Sequence, residues 1–220
     1  VTSIGNNLNI SGTATMTGNA AFTVAGAFDY SSSGTTTLTG ANAISIGSYN
    51  QSAGTLIDNG NTITVTGSGA STWSQSGGVF TPTGTVIFTG AAPQVGAANF
   101  NNLAINVGAG NTATLTGDGT VGNVLTLTSG IVTTGTNTLT VTSSCSTGVS
   151  GGAAASYVLG NMTLRYPTNA GTTTCTFPIG SAGAYSPAAV AMLGVTSTLA
   201  NSSLTARVDP GDHANTTANT

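Results

Sequence analysis

Short alternations of apolar and polar residues recur along the first two thirds of the chain. Leu8-Asn9-Ile10, Phe22-Thr23-Val24, Ile44-Ser45-Ile46 and Ile63-Thr64-Val65 set the pattern. Val86-Ile87-Phe88, Leu103-Ala104-Ile105, Leu125-Thr126-Leu127 and Leu139-Thr140-Val141 continue it. A period of two buries one face of a strand. Threonine at the outward positions suits an exposed strand without adding charge. No stretch keeps a helical period over a useful length. Glycine punctuates the segments at 12, 18, 26, 34, 40, 47, 54, 60 and 67. Hairpin proteins signal a turn about every 8–12 residues, and here the early signals come closer together. Three such sides make a coil of roughly 20 residues, within the range of solenoid repeats.

The pattern predicts an all-β chain. A right-handed parallel β-solenoid is expected over 1–142, with Ile, Val, Leu and Phe in inward ladders. Near Ser143 the composition turns to Ser, Gly and Ala, which reads as a linker loop over 143–155. Longer strand candidates follow at 157–166, 172–177, 188–193 and 203–208, punctuated by Pro167, Pro178 and Pro187. These predict a small antiparallel β-sandwich module over 156–213, then a tail over 214–220.

Charge changes the picture most. The 220 residues include two Lys+Arg and five Asp+Glu, 3% charged in all, against about 25% in an ordinary globular domain. Lysine and glutamate are absent. A hydrophobic fraction of 39% with a net charge of -3 argues against disorder. A lysine-free, acidic chain is a poor match for nucleic acid. No apolar run approaches the roughly 20 residues of a membrane helix, and no secretory leader is recognisable at Val1. Little charge also means little repulsion between copies and little protection of strand edges.

Candidate chemistry is sparse. Cys145 and Cys175 lack a CxxC partner and a nearby His. A disulfide is expected from the extracellular style of the composition, with two buried free thiols as the alternative. Glycoside hydrolysis needs paired carboxyl groups, yet Asp29, Asp58 and Asp118 are far apart in sequence. They read as turn aspartates holding backbone N–H groups. His213 is the one histidine, so Ser and Thr lack a base. The run Asp209-Pro210-Gly211-Asp212-His213 offers too few ligands for calcium and reads as a turn. No catalytic residue, metal site or cofactor is expected. Trp73 and Tyr49 read as core or contact residues rather than sugar-stacking platforms. Thr62-Ile63-Thr64, Thr112-Ala113-Thr114, Thr126-Leu127-Thr128 and Thr138-Leu139-Thr140 raise an ice-binding alternative, weakened by their irregular spacing.

Phe100-Asn-Asn-Leu-Ala-Ile-Asn, Ala113-Thr-Leu-Thr-Gly, Val124-Leu-Thr-Leu-Thr-Ser-Gly and Asn137-Thr-Leu-Thr-Val resemble the rungs of bacterial β-strand-repeat secreted surface and adhesin-like proteins. Gly160-Asn161-Met162 with Arg165, Thr176-Phe177-Pro178-Ile179-Gly180 and Tyr185-Ser186-Pro187 resemble a domain that often follows such rungs. The likeness covers 95–210 well and the first 95 residues in style alone. It implies a secreted, cell-surface location and no catalytic residues. The expected function is a structural subunit of an extracellular filament, sheath or surface layer, with copies of itself as partner. Extracellular polysaccharide is a second candidate partner. A monomeric adhesin stalk or glycan-binding module is the alternative. Self-assembly is expected to use the first coil, at Ile4, Leu8 and Ile10, with the tail from Asn215 to Thr220 as a donor strand.

Overall fold

The computed structural model describes residues 2–12, 21–40, 43–195 and 202–209. Every described element is a strand or a turn. The chain winds as a parallel β-solenoid of about 8 turns, followed by an antiparallel sheet. Each coil supplies one segment in turn to each of three ladders. The first ladder begins with Thr2–Ile4 and ends with Val149–Gly151. The second begins with Leu8–Ile10 and ends with Ile179–Ser181. The third runs in two blocks. Thr35–Thr37, Thr55–Ile57 and Val79–Thr81 form one, and residues 98–100, 119–121, 139–141 and 162–164 form the other.

Alternation in the sequence becomes stacking in space. Ile4, Val24, Ile46, Val65, Phe88, Ile105 and Leu127 lie in register up the first ladder, from coil to coil. In the second ladder, Leu8, Phe28, Tyr49, Trp73, Val95 and Leu115 form the equivalent column. Aromatic rings meet along it, with Tyr49 and Trp73 stacked at 4.2 Å and Trp73 lying 5.2 Å from Phe80 and 5.3 Å from Phe100. Such pairs contribute about 0.5–1.5 kcal/mol each beyond area burial.

Long strands such as Phe22–Tyr30 are two sides of one coil joined without a break. Joining two sides brings backbones close at the corner. Gly26, Gly47, Gly67 and Gly90 stack there. A Cβ on Gly47 would lie 2.5 Å from the Ala25 carbonyl oxygen, and one on Gly67 or Gly90 would strike the glycine carbonyl one coil back.

The antiparallel part closes the far end. Asn169–Phe177 and Ala188–Val195 form a hairpin-like pair. Ala184–Tyr185 lies antiparallel on Ile179–Ser181, and Ser203–Ala206 lies antiparallel on Val158–Arg165. Cys175, Phe177 and Ile179 are buried there, and Val190 and Met192 pack on the same core.

The expected limits of the parts do not coincide with this arrangement. The stretch 143–155 turns through Thr147 and Gly148 and then gives Val149–Gly151 to the first ladder. Val158–Arg165 next serves both the second and third ladders. The composition shift at Ser143 therefore marks a wider corner, and the coil registers carry on through it. Of the expected tail, 214–220 lies outside the described residues.

Candidate functional site

Among the described residues, the first coil, the terminal strands and a cavity beside the disulfide are candidate places for chemistry. At the first coil, Thr2–Ile4 pairs with residues 22–24 and Leu8–Ile10 pairs with residues 28–30. Among the described residues, no strand lies on the other side of either. Ile4, Leu8 and Phe22 are half-buried, whereas Val24 and Phe28, which stack on Ile4 and Leu8, are fully buried. Ile10 is buried at 8% exposure. The structure thus groups Ile4, Leu8 and Ile10 in the first described coil, where Ile4 and Leu8 are half-buried. Asn215 and Thr220 lie outside the described residues.

The described carboxylates of the solenoid do not converge. Asp58 is fully buried at a corner, and its Oδ1 accepts from Gly60 N–H at 3.3 Å, Thr83 N–H at 2.7 Å, Thr83 Oγ1 at 2.7 Å and Gly84 N–H at 3.1 Å. Asp118 accepts from Thr138 N–H at 2.8 Å, one coil on. Asp29 accepts from Asn50 Nδ2 at 2.7 Å, on the neighbouring coil. Asp58 and Asp118 hold backbone N–H groups, as turn aspartates do. Each engaged carboxylate ties one coil to the next.

Tyr49 and Trp73, weighed above as sugar platforms, are both 0% exposed. The Tyr49 hydroxyl donates to Gln51 Oε1 at 2.8 Å, and Gln51 Nε2 donates to the carbonyls of Gly54 and Val79 at 3.1 and 3.0 Å. Burial pushes the Tyr49 phenol far above its ordinary value, and Tyr30 adds to the rise. The Thr-x-Thr pairs divide among the ladders. Thr64 stacks between Ser45 and Ile87, and Thr126 between Ala104 and Ser150, so neither belongs to an unbroken threonine rank.

Cys145 and Cys175 are joined by a disulfide, with Cα atoms 5.4 Å apart. The bond ties the corner after the third ladder to the terminal hairpin. Beside it lies a cavity of 230 Å³ reached by residues of both parts. Sequence reasoning did not find this cavity. Its lining is drawn from 145–151 and 174–185, stretches separated in sequence and lacking any acid or base.

Among the described residues, no group of three His, Cys, Asp or Glu is placed to hold a metal ion. Arg207 and Asp209 form an exposed ion pair at 3.0 Å, while Asp212 and His213 lie outside the described residues. Among those residues, too, no helix is long and apolar enough to cross a membrane. No family model, curated protein or solved structure matches the chain.

Proposed function

We propose that this chain is a non-enzymatic structural subunit that assembles outside the cell into a filament, sheath or surface layer. The observation that carries the reading is the asymmetry of the rod. Among the described residues, Thr2–Ile4 and Leu8–Ile10 pair on one side only and Ile4 and Leu8 are half-buried, while antiparallel strands lie on the far coils. Open edges accept further strands through main-chain hydrogen bonds. The terminal hairpin supplies a second, different surface, because Asn169–Phe177 and Ala188–Val195 pair only with each other among the described residues. Contact between two unlike surfaces that does not close into a ring yields an open polymer.

Three further features support this. Charge at 3% leaves little repulsion between copies. The three described carboxylates of the solenoid are occupied in holding coils together. A disulfide suits an oxidising compartment outside the cytoplasm.

Negative-stain microscopy and light scattering of native material test the proposal. Ordered polymer is expected, lost when Ile4 and Leu8 are both replaced by Lys while circular dichroism stays all-β. Monomers at high concentration, with no ordered polymer on cells, would overturn it in favour of an adhesin stalk.

A further inference from the structure

We propose that the cavity between the last coil and the terminal hairpin binds one neutral sugar residue. The inference is independent of polymer formation. The site is built from two walls. Ser146, Val149 and Gly151 line the coil side, and Thr174, Thr176 and Tyr185 line the other. The Cys145–Cys175 disulfide joins these walls at the edge of the cavity, so their separation is fixed before any ligand arrives.

The chemistry of the lining selects the ligand class. None of the lining residues is an acid or a base, so a charged ligand would find no ion-pair partner there. Ser146, Thr174 and Thr176 each bring a hydroxyl able to donate and to accept, which matches the hydroxyls of a sugar ring. The coil wall adds fixed main-chain groups. Gly148 C=O accepts from Leu125 N–H, and strand alternation then turns the N–H and C=O of Val149 away from that neighbouring strand. Tyr185 adds an aromatic ring for the apolar face of a sugar. That ring is held 5.9 Å from Tyr157, which is buried and donates its own hydroxyl to the Ser181 carbonyl at 2.7 Å.

Size argues for one ring. The 230 Å³ available is below the roughly 300–1,000 Å³ of a pocket for drug-sized molecules. An extended peptide would need about 3.3 Å of length per residue and room for side chains on both faces.

Saturation-transfer NMR on the full chain tests this, with the methyl glycosides of glucose, galactose, mannose and N-acetylglucosamine as probes at millimolar concentration. Transfer to at least one probe is expected. Thr176→Val should weaken it about two- to tenfold, the effect of one hydrogen bond. Tyr185→Ala should weaken it more, while Tyr185→Phe, which keeps the ring and guards against a folding artefact, should retain most of it. Silence from all four glycosides would overturn the proposal. So would transfer that Thr176→Val and Tyr185→Ala both leave unchanged. Saturation transfer to an uncharged Ser/Thr peptide with none to any glycoside would also overturn it and make the cavity a strand-edge site. Loss of sugar binding with intact polymer, or the converse, separates this site from the assembly reading.

Discussion

At the scale of single residues, the solenoid depends on where side chains are missing. Gly67 sits with its backbone against the Gly47 carbonyl, and a methyl group there has nowhere to go. Gly67→Ala is therefore expected to cost about 1–3 kcal/mol, as overpacked sites do. Gly60 makes a useful contrast, with a φ of 79° but open space around it. Gly60→Ala should cost about 1–2 kcal/mol from backbone conformation alone. Denaturant melts of both variants would check the pair, and collision requires Gly67→Ala to be the worse. Tyr49 gives a pH signature. Below pH about 10, folded and unfolded chains both keep the phenolic proton, and its contribution to stability is constant. Above that, the unfolded phenol ionises while burial holds the folded one neutral, so stability falls as pH rises. Thermal midpoints across this range should drop for the native chain and drop less steeply for Tyr49→Phe.

At the scale of elements, the disulfide decides whether the closing strands stay in place. It spans 30 residues, and the chain-entropy model gives about 3–4 kcal/mol for such a loop. Replacing both cysteines by Ser should lower stability by that order and open the hairpin to protease before the coils. Limited proteolysis followed by mass analysis reads this, and cleavage starting within the coils would contradict it. Much of this level was legible in the chain. Ile44, Ile63 and Val65 announced inward positions by alternation, and close-spaced glycines announced the short sides. The boundary was not legible. A strand of a sandwich and a side of a coil both bury every second residue, so Val158–Arg165 reads alike in either setting. What separates them is its register with Ile131–Ser144, which is a property of pairs and not of one segment. The cavity was hidden for a related reason, since Ser146 and Thr176 gain significance only from the fold that makes them neighbours.

At the scale of the whole molecule, each coil rests on the one before it, and the rod is nearly one-dimensional in its energetics. With strands about 4.8 Å apart, some eight turns make a solenoid about 35–40 Å long. The Cys145–Cys175 bridge gives such a rod an unequal response to tension. Drawn out through its first described coil, the chain should peel coil by coil, each releasing roughly 20 residues, or about 70 Å of contour. The loop between Cys145 and Cys175 carries no load while the bond is intact, because tension passes through the bond to the strands beyond Cys175. Single-molecule pulling should show that ladder of steps, and a further release of about 100 Å from the 30-residue loop only once reductant is present. The covalent bond thus acts as a bypass for tension, sparing Val149–Gly151 and Val158–Arg165 on a chain that has already begun to stretch.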